Sequence, residues 1–137
     1  MKRSVSERIA DIRTAIARCL DYAADLDSTE GHMAQMAVDA IERNIATIGE
    51  AANHLPDTVT DALPGIDWPA IRGMRNILIH EYFGVENAVV RDVIETKLQP
   101  LDDALAQYAA RRVRRQPPPF RPPSQASPHR EPPGLGR

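Results

Sequence analysis

The chain of 137 residues has a single cysteine, Cys19, and aromatic residues make up only 4% of it. One thiol excludes a disulfide framework and points to a reducing compartment. Set on the apolar face of a predicted helix, Cys19 reads as a small buried hydrophobe. No stretch approaches the roughly 18 consecutive apolar residues that span a bilayer. The opening MKRSVSERIADIR carries charges where a secretory leader needs its apolar run. A cytoplasmic protein without membrane contact is therefore expected. Also missing are a glycine-rich phosphate loop, a His/Cys/carboxylate cluster at metal-ligand spacing, strand-period alternation and any internal repeat. No metal or other cofactor is implied.

The formal net charge of −2 hides an asymmetry. Residues 1–110 hold 10 Lys and Arg against 18 Asp and Glu, a net of −8, whereas 111–137 hold 7 Arg against Glu131. An acidic body does not coat nucleic acid with a broad basic face, so any contact with RNA or DNA has to be local. No DNA partner is expected.

Apolar residues fall at helical spacing through most of the chain. Ile9, Ile12, Ile16, Cys19, Ala23 and Leu26 form the stripe of a first helix over 5–26, opened by a capping box of Ser4 and Glu7. Met33, Ala37, Ile41, Ile45, Ile48 and Ala52 mark a second over 30–55, capped by Ser28 or Thr29. Gly49 inside it costs about 1 kcal/mol relative to Ala, which predicts a close approach by another helix. PDTVTDALPGI reads as a loop. Asp67 then caps a third helix, with Pro69 tolerated in its first turn, running to about Ile79. Gly84 breaks the chain, a fourth helix covers Glu86 to Gln99, and Pro100 either kinks it or starts a fifth. From Gln116 onward 8 of 22 residues are proline. The expectation is an all-α bundle of four to five helices over 1–115 and a disordered Pro/Arg-rich tail over 116–137. His32 and His54 read as solvated histidines.

The stretch RNILIHEY, Arg75 to Tyr82, carries the candidate chemistry. Ile71, Met74 and Leu78 form the core stripe of its helix, leaving Arg72, Arg75, Asn76 and His80 on other faces. At about 100° per residue, Arg75 and His80 point about 140° apart, so one regular helix does not focus them on a point. A long Arg reaching across, a loosened last turn or a second copy of the chain would bring them together, and the last favours a shared, dimeric site. RNA carries its own nucleophile, the 2′-OH. Cleaving it requires a base for that proton, a cation for the phosphorane and an acid for the leaving oxygen. His80 suits the proton transfers, and the Arg75 fork suits a phosphate. Asn76 and Tyr82 are placed to orient or hydrogen-bond the same group. The same residues also suit purely structural roles, with His80 capping the helix, Arg75 in a surface ion pair and Tyr82 packed on the next helix.

Arg75, His80 and Tyr82, with Asn76 after the Arg, resemble the R-x4-H-x-Y signature of HepT-like toxins, HEPN-domain ribonucleases of the type VII toxin–antitoxin family. AIERNIATIGEAANHL at 40–55 and WPAIRGMRNILIHEYFGVE at 68–86 are similar to the same family, and the resemblance covers roughly residues 5–110. It implies a helical-bundle homodimer with Arg75 and His80 of each subunit lining a cleft. It implies a metal-independent endoribonuclease acting on RNA as the toxin of a pair. Its implied partner is a minimal nucleotidyltransferase antitoxin that AMPylates the motif tyrosine, Tyr82. The alternative is a non-catalytic HEPN module that partners a nucleotidyltransferase, with Arg75 holding a phosphate. The tail has no counterpart in that pattern.

Overall fold

The first helix, α1 (Val5–Ala23), opens as its sequence requires. The Ser4 hydroxyl accepts from the Glu7 amide at 3.1 Å while the Glu7 carboxylate accepts from the Ser4 amide at 2.8 Å. Two otherwise orphaned donors are satisfied at once. This computed structural model describes residues 2–76 and 87–115, with Phe120 and Pro123. Segment 77–86 and nearly all of the tail, and with them His80, Tyr82, the Gly84 breaker, the helix end at Ile79 and the expected disorder of the tail, lie outside the described residues.

α1 ends at Ala23 rather than near Leu26, because the chain tightens into turns there: Leu26 donates to the Ala23 carbonyl at 3.2 Å and still buries its side chain. The second helix, α2 (Met33–Asn53), begins three residues later than expected. The Ser28 hydroxyl accepts from the Glu30 amide at 3.2 Å, so it closes a local turn instead of capping the helix. Gly31 follows at φ +51°, which suits glycine.

The expected loop at 56–66 holds a one-turn helix, α3 (Asp57–Thr60), with Val59 and Leu63 buried. Their four-residue spacing is helical, but the prolines on either side obscure it in the sequence. The fourth helix, α4, is described over Trp68–Asn76. The chain resumes in α5 (Asn87–Val93), a π-helical turn (Ile94–Leu98) and α6 (Gln99–Arg115). Pro100 is the second residue of α6, so of the two expectations the one that starts a further helix there is met. The widened turn precedes it, with the Gln99 amide donating five residues back to the Ile94 carbonyl, and the helix continues beyond. Among the described residues the fold is all-α.

α1 and α2 form an antiparallel hairpin, α4 packs on α2, and the α5–α6 rod returns along α1. Ile12, Ile16, Ile41, Ile45, Ile48, Leu98, Leu101 and Leu105 are fully enclosed between them. Each such side chain contributes about 2 kcal/mol by leaving water. At the periphery the Arg13 guanidinium meets Asp102 at 2.9 Å, joining α1 to α6. Arg91 pairs with Asp27, and the Asn87 side-chain amide donates to the Leu26 carbonyl at 2.6 Å, joining α5 to the turn after α1.

Cys19 sits inside this core, and burial pushes its thiol up to about 12. The nucleophilic thiolate is then scarce at any pH that preserves the fold. The native chain is expected to react negligibly with a thiol-specific disulfide reagent at pH 8, and to titrate one thiol once unfolded in urea. Rapid labelling of the native chain would contradict the burial.

Candidate functional site

The candidate site depends on where α4 is held. Its start is fixed three ways: the Asp67 carboxylate accepts from the Ala70 amide at 3.1 Å, the Ile71 amide donates to the Asp67 carbonyl at 3.0 Å, and the buried Trp68 indole donates to the Leu63 carbonyl at 3.2 Å. Ile71 and Met74 then point into the core. Pressed against this helix is Gly49 of α2. A methyl at its position would lie 3.4 Å from the carbonyl oxygens of both Ile71 and Arg72, so the two backbones meet with no side chain between them. The close approach expected of a glycine inside a helix is thus observed.

With one face of α4 committed to α2, Arg72, Arg75 and Asn76 stand exposed. Arg75 makes no ion pair among the described residues, so the structural alternative of a surface salt bridge finds no partner there. Asn76 is the last described residue of the helix, and His80 and Tyr82 follow in the undescribed segment. Of the four candidate residues, Arg75 and Asn76 are therefore located, adjacent and exposed at the last described positions of α4. The beginning of the chain after that segment is located too, by the bond from Asn87 to Leu26. On α2, burial and the charge of Asp39 raise the Glu42 carboxyl above the ordinary carboxylate range.

A second feature is not apparent from the sequence. Between α1 and α2, on the side of α2 roughly opposite Gly49, runs an open groove of about 800 Å³. Its floor is made of small residues, Ala15, Ala40 and Ala51. Arg8, Arg18 and Tyr22 line it from α1 and Arg43, Asn44 and Thr47 from α2, with Glu50 and His54 towards the end of α2. At its rim Arg3 forms a two-bond pair with Asp11, at 2.6 and 2.8 Å, which keeps the Arg3 guanidinium more firmly protonated than usual. The signal in the sequence is the three- and four-residue spacing of these positions on each helix. Such spacing marks a solvated face until the pairing of the helices is known.

Among the described residues no three His, Cys, Asp or Glu side chains gather as metal ligands, and no helix is long and apolar enough to cross a membrane.

A family model described as Ribonuclease HepT-like matches residues 12–108. A Methanocaldococcus jannaschii protein bearing the name RNase is 29% identical over 94 residues, covering 69% of this chain and 86% of that protein. A second one from the same organism is 27% identical over 97 residues, 71% of this chain and 80% of its own length. The "Probable ribonuclease HepT" of Thermococcus cleftensis is 29% identical over 101 residues, 74% of this chain and 92% of that protein. No solved structure matches the chain.

Because α4 rests on bare backbone at Gly49, the effect of a side chain there depends on its size. Gly49→Ala is expected to be nearly neutral in urea denaturation, its methyl in ordinary contact and its helix propensity improved by about 1 kcal/mol. Gly49→Leu is expected to lose about 2 kcal/mol or more through overpacking. Equal stability of the parent and Gly49→Leu would show that α4 is not seated there.

Proposed function

The chain belongs to the HepT-like ribonuclease family, and from that premise we propose that it is a metal-independent endoribonuclease whose site is Arg75 and His80 supported by Asn76 and Tyr82. The observation that carries the reading is the exposed Arg75, without an ion pair among the described residues, beside Asn76 at the end of α4, in a region that the family match includes.

The chemistry follows from the side chains. His80 takes the proton of a ribose 2′-OH, the freed oxygen bonds to the adjacent phosphorus, and the bond from phosphorus to the 5′-oxygen breaks. Arg75 donates two hydrogen bonds to the non-bridging oxygens as charge grows on them. A protonated imidazole returns a proton to the leaving 5′-oxygen, so the products are a 2′,3′-cyclic phosphate and a 5′-hydroxyl. The 140° offset of Arg75 and His80 on an ideal helix supports a homodimer in which two copies face each other and complete one cleft.

In this reading the protein is the toxin of a type VII toxin–antitoxin pair in the cytoplasm. A minimal nucleotidyltransferase antitoxin silences it: the Tyr82 oxygen bonds to the α-phosphorus of ATP and pyrophosphate leaves. The attached AMP sets anionic bulk beside Arg75 and His80 and excludes RNA by charge and by size.

Purified protein incubated with bulk cellular RNA in EDTA is expected to cleave it, and His80→Ala and Arg75→Ala are each expected to lose at least about 100-fold in rate while remaining folded. Undiminished cleavage by both variants would overturn the assignment. Incubated with ATP and the cognate nucleotidyltransferase, the parent is expected to gain mass in whole AMP units, and Tyr82→Phe to gain none. Modification of Tyr82→Phe to the same extent would move the acceptor elsewhere.

A further inference from the structure

We propose that the α1/α2 groove is a second RNA-binding surface, a track for single-stranded RNA that lies across α2 from the α4 site. It rests on the reading of the chain as a ribonuclease, which requires a strand to be held as well as cut.

Charge is the first argument. Residues 1–110 are acidic by 8 charges, yet Arg8, Arg18 and Arg43 converge on one groove and make no ion pair among the described residues. Asp11 in the same groove is already neutralised by Arg3, which leaves Glu50 as the opposing carboxylate. Within the acidic part of the chain, residues 1–110, a phosphate chain finds cations here without crossing a field of carboxylates.

Shape is the second. From Arg8 to Tyr22 the α1 wall runs about 21 Å at 1.5 Å per residue, a channel rather than a pocket for one small anion. The alanine floor lets a strand lie between the helices instead of over them.

The third is that the groove offers contacts for bases as well as for phosphates. The Tyr22 ring is anchored against the core with part of its surface open to the groove, as a stacking platform needs. The Asn44 amide spends a donor on the Ala40 carbonyl at 2.8 Å and the Thr47 hydroxyl donates to the Arg43 carbonyl at 3.2 Å. Asn44 keeps its Oδ1 acceptor and a second N–H donor, and Thr47 keeps an acceptor oxygen, a mixed set that suits base edges. Arginines for the backbone, an aromatic face and this mixed set for base edges together fit single-stranded RNA better than an acidic peptide.

The test uses full-length protein carrying His80→Ala, so that RNA stays intact, and reads the anisotropy of a labelled single-stranded RNA of mixed sequence in EDTA across a salt series. Adding Arg18→Gln and Arg43→Gln is expected to weaken binding at least about tenfold at low salt and to flatten the log–log salt slope by about 1.4, two phosphates at about 0.7 each. Tyr22→Leu is expected to weaken binding with the slope unchanged, because stacking releases no counterions. Lys97→Gln, which removes one positive charge outside the groove, is expected to bind as the parent does. Parent-like affinity and slope in the Arg18/Arg43 variant, or an equal loss in Lys97→Gln, would overturn the proposal. The two readings fail separately: protein that cleaves RNA but ignores Arg18 and Arg43 sinks the groove alone, whereas groove-dependent binding by a parent that cleaves nothing sinks the nuclease alone.

Discussion

The contact between Gly49 and the carbonyl oxygens of Ile71 and Arg72 is the constraint on which the rest of the arrangement depends. It sets how deeply α4 sinks against α2, and with it which residues of α4 face the core and which face water. A side chain larger than a methyl on α2 at that point would lift α4 outward and draw Ile71 and Met74 from their places. Arg75 and Asn76 are exposed because the opposite edge of their helix has been pressed home. The glycine's intrinsic cost to helix stability is offset by the burial that the close approach of α4 brings.

The other side of the bundle solves a different problem. Val90, Ile94 and Leu98 recur at intervals of four, and over two intervals an ideal helix carries such a row about 80° off its line. The π-helical turn at Ile94–Leu98 rotates less per residue and keeps the row facing α1, where Leu101 and Leu105 continue it. It also meets the lack of an amide hydrogen at Pro100, since a widened turn has already shifted the hydrogen-bond register there. One irregularity serves both ends of the rod.

Much of this could be read from the residues alone, where the cause is local. The Ser4/Glu7 capping box, the Asp67 cap and most of the apolar stripes of α1 and α2 are properties of a few neighbouring positions and stand in the fold as expected, although Met33 at the start of α2 is exposed and Ala23 only half-buried. The closeness implied by Gly49 was legible because a glycine on the buried face of a helix is costly unless a second backbone comes near it. The groove was not, because Arg8, Arg18 and Arg43 on separate helices look like solvated charges until α1 and α2 are paired. Nor was the π-helical turn, since intervals of four fit a regular helix over so short a span. At the candidate site, residue types indicated the chemistry, but bringing Arg75 to His80 depends on reach across a turn or on a second subunit. Those are not local properties, and His80 and Tyr82 fall outside the described residues.

The enclosure of Cys19 has a practical consequence. Its thiol is the only one in the chain, so a cysteine introduced on an exposed position would be the sole accessible attachment point for a spin label or fluorophore. Native α1 could be left untouched. Distances between probes placed one per chain would then report whether copies assemble, with no need to delete a residue that the core requires.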